Sequence, residues 1–201
     1  MAAEAHAGGG NGGEVGSRPP TEMDIVELCA GLNRAGARYV VVGGLAIIQA
    51  GHARFTEDVD LLIETTVENE TKVLEALRLL PDSAASQVAP GEVDHYGVVR
   101  ISDEIMVDLM KSGCGVTYAD AIRDADWREI QGVRIPFASK STLWKMKQTV
   151  REKDIPDRLF LRQALEREGV ALNPPLKTPD DPLTNMPRWL RRVLAWLFRQ
   201  R

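Results

Sequence analysis

Cysteine is nearly absent from this chain. Only Cys29 and Cys114 occur in 201 residues, with no C-x-x-C and no His pair beside them. Neither a zinc site nor a disulfide framework is indicated, and two reduced cytosolic thiols in a cytoplasmic protein are the expectation. A long apolar run is missing as well. Residues 1–20 are rich in Ala and Gly and close with Arg18-Pro19-Pro20, without the apolar stretch of a signal peptide or membrane span. They read as a disordered tail. Positive charge is also in short supply, with a net charge of −4 and a pI near 5.5. Residues 187–201 nevertheless hold five Arg and no acid; removing those five from the 25 basic side chains leaves 20 against 29 acidic ones. A body that acidic is a poor general surface for long nucleic acid, whose binding rests on phosphate neutralisation.

What is present is an ordinary apolar fraction, 44%, in a chain long enough for one or two small domains with a core. Its chemistry concentrates in residues 39–64, YVVVGGLAIIQAGHARFTEDVDLLIE. Tyr39 to Val42 is a β-branched run of strand length that breaks at Gly43-Gly44. Leu45 to Ala50 has helical tendency, and after a turn Asp58 to Ile63 reads as a second strand. In it Val59, Leu61 and Ile63 share one face, and Asp58 and Asp60 share the other with Leu62. Two carboxylates at i and i+2 repel each other unless a cation lies between them, and paired oxygen donors suit Mg²⁺ or Mn²⁺. Gly43 and Gly44, lacking Cβ atoms, would let a ligand approach the backbone, where the N–H groups opening the next helix attract phosphate.

The flanking chain is read in order. Thr21-x-x-Asp24 caps a helix with Ile25, Leu28, Cys29 and Leu32 on its apolar side. Glu68 to Leu80 is a helix stopped by Pro81, residues 82–92 are loop, and Tyr96 to Ile101 is a strand. Ile105 to Met110 is a further strand, in which Asp108 shares a face with Met106 and Met110. An Asp there either coordinates an ion or sits on an edge strand facing water. Tyr118 to Asp126 is a short helix, and the segments flanking Gln131-Gly132 form a hairpin. A helix capped by Ser139 or Ser141 then packs through Leu143, Trp144, Met146 and Val150. Lys147 and Arg151, four apart, fall on one face of it. They either meet phosphates or form a solvated basic face with Asp154 and Asp157 as local partners. Ile155 to Glu168 is a last helix, ended by Gly169.

Residues 170–187 carry five prolines and read as a linker. Residues 188–201 form a basic, Trp-rich amphipathic pattern, too short to span a bilayer. It can lie on an anionic membrane, dock a protein partner, or fold back on its own domain.

Gly43-Gly44, thirteen residues, then Asp58-x-Asp60 resembles the signature of the nucleotidyltransferase superfamily, the polymerase-beta-like fold. The pattern Arg54-x-Thr56-x-Asp58-Val59-Asp60 is similar to minimal nucleotidyltransferases of the AbiEii toxin-like branch, and Lys147 to Asp157 resembles that family's K-x-x-x-R-x-K-D-x-x-D element. Over about residues 22–168, the resemblance implies an α+β fold, a small mixed β-sheet with helices packed on it, plus C-terminal helices. The implied layout is a nucleotidyltransferase core at 21–137 with C-terminal helices of the same domain at 138–169. It implies Asp58, Asp60 and Asp108 as catalytic carboxylates and metal ligands, with Gly43, Gly44, Arg54, Thr56, Lys147 and Arg151 toward the NTP. Arg54 has an alternative as the partner of Glu57 or another exposed acid. The implied reaction moves an NMP group from an NTP to a hydroxyl on a tRNA end, a protein or a small molecule, with Mg²⁺ or Mn²⁺ and release of pyrophosphate. Membership of a toxin–antitoxin pair comes with that branch. The reading from a different class is a non-catalytic nucleotide-binding module that acts through residues 188–201 on a membrane or partner.

Overall fold

A computed structural model of the protein describes residues 17–173. Most of the expected tail 1–20, nearly all of the linker and the amphipathic stretch 188–201, with its membrane or partner role, lie outside the described residues. The expected tail is too long at its inner end. Ser17 Oγ donates to the Asp103 carbonyl at 2.7 Å, and Arg18 forks onto Asp24 at 2.6 and 2.7 Å, so residues 17 and 18 are tied to the body.

The centre of the fold is a strand too apolar to stay in water. Helix α1 (Glu22–Arg34) begins at Thr21, whose hydroxyl caps the Asp24 N–H while the Asp24 carboxylate accepts from the Thr21 N–H. It buries Ile25, Leu28, Cys29 and Leu32. The chain then enters β1 (Tyr39–Val41), buried at all three positions, followed by helix α2 (Gly43–Gln49). Strand β2 (Asp58–Ile63) returns antiparallel to β1, pairing Tyr39 with Ile63 and Val41 with Leu61. Helix α3 (Val67–Leu77) is capped by Thr66 and buries Val73, Leu74 and Leu77; it ends three residues before the expected Leu80.

Next come α4 (Glu92–Tyr96), β3 (Val98–Ser102) and β4 (Met106–Met110). A small hairpin of β5 (Ser112–Gly113) and β6 (Val116–Thr117) leads to α5 (Tyr118–Ala121). Strands β7 (Asp126–Ile130) and β8 (Val133–Phe137) meet through Gln131 and Gly132, at φ 49° and 78°. A two-residue hairpin with both residues left-handed matches the twist of its strands. Helices α6 (Lys140–Met146) and α7 (Ile155–Arg167) follow; α6 packs against α2 and α7 against α6.

The main sheet has six strands in the order β3-β4-β2-β1-β8-β7. Strands β4 and β2 run parallel, as do β1 and β8, while the other pairs are antiparallel. The fold is therefore α+β with a mixed sheet, as expected. Leu32, Ile47, Leu61, Leu74, Leu109 and Trp144 are among its fully buried side chains. Among the described residues, no helix is long and apolar enough to cross a membrane.

Three local expectations are corrected. Residues 82–92 are not plain loop: they hold a 3₁₀ turn (Ala84–Gln87) and the start of α4, which also takes Tyr96 from the expected strand. Distant carboxylates impose that shape. Buried Asp103 accepts from the N–H groups of Asp82 and Ala84, and buried Glu70 accepts from those of Gly91, Val93 and Asp94. Helix α6 stops at Met146, so Lys147 and Arg151 do not share a helical face, and the expected packing residue Val150 is fully exposed. The third concerns Asp108. Its strand lies between β3 and β2, so the edge-strand reading is excluded.

Candidate active site

The parallel pairing of β2 with β4 decides the site. It sets Asp60 opposite Asp108 and Asp58 opposite Met106, so side chains of like parity fall on one face. One carboxylate oxygen from each of Asp58, Asp60 and Asp108 lies within 4.8 Å of the other two. Asp108 is only 7% exposed, and Asp58 and Asp60 are half-buried. Taken out of water beside two like charges, Asp60 has its carboxyl pushed up to about 6. Burial is the larger cause, followed by the charges of Asp58 and Asp108; the Lys147 ammonium and the Gly44 N–H oppose them. An oxygen-only donor set with negative charge in excess fits a hard divalent cation such as Mg²⁺ or Mn²⁺.

The glycine pair serves this cluster in an unexpected way. Gly43 has φ +61°, and a Cβ built on it would lie 1.8 Å from Asp60 Oδ2; one on Gly44 would lie 2.3 Å from Thr56 Oγ1. The space freed by the missing side chains is thus filled from within the protein, by Asp60 and Thr56. Thr56 Oγ1 in turn lies 3.3 Å from Asp58 Oδ1, within reach to donate. Residues 43, 44 and 56 form the seat in which the two β2 carboxylates are set.

Arg100 is the member that sequence reasoning missed. Antiparallel pairing of β3 with β4 places it opposite Asp108. Its Nε donates to Asp108 Oδ1 at 2.7 Å and its Nη2 to Oδ2 at 2.6 Å, a two-pronged pair. The same Nη2 is 3.8 Å from Asp58 Oδ2. The available signal was weak: alternation in Val98 to Ser102 puts Arg100 on the strand's polar face, but only the register reveals which acid it meets.

The basic strip is held by buried acids. Lys147 Nζ lies 2.9 Å from both Asp154 Oδ1 and Asp157 Oδ2. Arg151 Nε reaches Asp154 Oδ2 at 2.9 Å with most of its side chain exposed, and the Thr149 hydroxyl also donates to Asp154. Arg54 pairs with Asp157 Oδ2 at 2.5 Å. Neither Glu57 nor a surface acid is its partner. Asp154 and Asp157 are each 1% exposed, so these pairs lock α7 and the turn before it to the segment leaving α2. His52 is buried and stacks on Phe160 of α7, with ring centroids 4.8 Å apart.

The carboxylates open into a cleft of about 250 Å³. Of the nine site residues picked from the sequence, all but Thr56 line it, and so do Arg100, Thr149 and Cys114 at the tip of the β5–β6 hairpin. The geometry can hold a cation on one wall and face it with Lys147 and Arg151.

No protein-family model and no curated protein matches the chain. Among solved structures, it is similar to an antigenic nucleotidyltransferase-like protein from Paracoccidioides brasiliensis. The identity is 18% and the TM-score 0.41, over 88% of this chain and 87% of that one.

Proposed function

We propose that the protein is a metal-dependent nucleotidyltransferase that moves an NMP group from an NTP to a hydroxyl acceptor and releases pyrophosphate. The observation that carries this reading is the convergence of Asp58, Asp60 and Asp108 from two parallel strands, with one oxygen from each within 4.8 Å of the other two. The motif over Gly43 to Asp60 and the basic element from Lys147 support the same reading, as does their meeting in one cleft. The minimal, AbiEii toxin-like kind is the branch the motif resembles, and a tRNA 3′ end, a protein or a small molecule is the acceptor class.

Asp58, Asp60 and Asp108 would hold the cation. When bound, a divalent cation neutralises charge on the entering and leaving oxygens of an in-line displacement at phosphorus. The chain's own groups do the rest. Asp108 takes the proton of the attacking hydroxyl as its oxygen bonds to the α-phosphorus and the bond to pyrophosphate breaks. Lys147, fixed by Asp154 and Asp157, places a positive charge across the cleft, where it offsets charge building on the leaving pyrophosphate. Arg151, more exposed, reaches outward toward the tail of the triphosphate. Gly43, Gly44 and Thr56 keep the β2 carboxylates in place, and Arg54 fixes Asp157, so their contribution to NTP binding runs through geometry.

The test is incubation with each α-labelled NTP, Mg²⁺ and total cell extract. Label is expected on one acceptor class in a chelator-sensitive way, and none is expected with Asp58→Asn plus Asp60→Asn. Transfer that survives the double substitution contradicts the assignment.

A further inference from the structure

The two-pronged contact between Arg100 and Asp108 occupies the very oxygens that a cation would need. Asp108 turns both oxygens to the guanidinium, at 2.7 and 2.6 Å, and Asp58 adds a third oxygen at 3.8 Å. Arg100 can do this because β3 is an outer strand of the sheet and the two residues face each other in register. The arginine is not buried with its acid: its side chain is 54% exposed, that of Asp108 only 10%. It can leave toward solvent without repacking the core, whereas Asp108 cannot move. Among the described residues, Asp108 meets Arg100, while three other basic groups of the cleft, Arg54, Lys147 and Arg151, are held by Asp154 and Asp157 on the opposite wall.

We propose that Arg100 is an internal cation of the carboxylate site, displaced from Asp108 when a divalent metal binds, and thereby a positioning residue that sets how much metal the site needs. Without metal, it compensates the charge that would otherwise leave Asp108 buried and unpaired. With metal, a divalent cation competes with the guanidinium for the same pair of oxygens and repels its charge, and the guanidinium moves to the mouth of the cleft. Asp108 is then relieved of its fork and free to ligate and to accept a proton. The inference rests on the metal-binding reading of the triad, and its test separates the two.

Mn²⁺ is titrated into wild-type protein and Arg100→Gln, with free Mn²⁺ read by electron paramagnetic resonance and no nucleotide present. Arg100→Gln is expected to bind roughly fivefold more tightly, the factor that ~1 kcal/mol of a part-exposed ion pair represents. Arg100→Lys, which keeps the charge without the fork, falls between. In parallel, the Arg100 Nε–H resonance of the wild type, assigned by its loss in Arg100→Gln, is followed during Mg²⁺ addition. It is expected to lose its carboxylate-bonded shift as the site fills. Equal Mn²⁺ affinity in the two proteins, or a resonance unmoved at saturating Mg²⁺, overturns the displacement while leaving the metal site standing. Absence of Mn²⁺ binding in both proteins overturns the two together.

Discussion

A Cβ on Gly43 would lie 1.8 Å from Oδ2 of Asp60 and 2.9 Å from its Cβ. The glycine that opens α2 and the acid in the middle of β2 are therefore one unit. No side chain can be added to the former without moving the latter. Gly43→Ala is expected to cost at least about 2 kcal/mol, from the left-handed backbone and the overlap together, and to weaken Mn²⁺ binding at least about tenfold. Gly36→Ala is the control. Its φ is +66°, but nothing lies within 4 Å of the added carbon, so only the backbone strain of about 1 kcal/mol applies. Urea denaturation of the two variants separates the terms.

Asp60 makes stability depend on pH in the direction opposite to most acids. Its folded carboxyl titrates at about 6, above the ordinary value of 3.8. Its stabilising contribution is therefore full below the ordinary value and is lost as pH rises through about 6. In metal-free buffer, Asp60→Asn is expected to melt higher than the wild type at about pH 7 and to flatten the melting profile between about pH 4 and pH 7. Added Mg²⁺ should raise the melting temperature of the wild type and not that of the variant. Metal affinity itself falls as pH drops through 6, because protonated Asp60 is no longer a ligand.

Asp157 ties two cations into the fold. It is 1% exposed and meets both Arg54 and Lys147. Asp157→Ala leaves Arg54 without its partner and Lys147 with one fewer, and is expected to cost about 3 kcal/mol. Arg162→Ala breaks an i,i+4 pair with half-exposed Glu166 on the same helix and should cost below about 0.5 kcal/mol. Thermal melting of the pair distinguishes a locked site element from a decorated helix surface.

The two thiols should differ sharply. Cys29 is fully buried and burial pushes its thiol up to about 12, while Cys114 is exposed on the hairpin beside the cleft. Alkylation of the native protein is expected to label Cys114 alone, and the second thiol should appear only in denaturant. Mg²⁺ with NTP should slow labelling of Cys114, since both compete for the rim of the same cleft.

Local pattern was enough to read the six strands of the main sheet and most of their contents, though not the short β5–β6 hairpin. The alternation around Asp58, Asp60 and Asp108, the Thr21 cap and the Gln131-Gly132 hairpin are each written in a few adjacent residues. What escaped was long-range. The shape of residues 82–92 comes from Glu70 and Asp103, carboxylates that lie outside the segment and accept its N–H groups. Helix α6 ends early because Lys147 and Thr149 turn to Asp154 rather than continuing the helix. Arg100 shows the same limit most clearly: its role depends on a register between β3 and β4, and register is a property of the sheet. The glycine pair was legible as a requirement, but its reason was not, since the atoms that fill the space belong to Asp60 and Thr56.

Crystals soaked with Mn²⁺ and a non-hydrolysable NTP test the central claim most directly, by anomalous difference density. The account predicts a peak in direct ligation range of Asp58, Asp60 and Asp108, with the triphosphate between it and Lys147 and with Arg100 withdrawn from Asp108. Density elsewhere, or none at all while Arg100 keeps both bonds to Asp108, would contradict it.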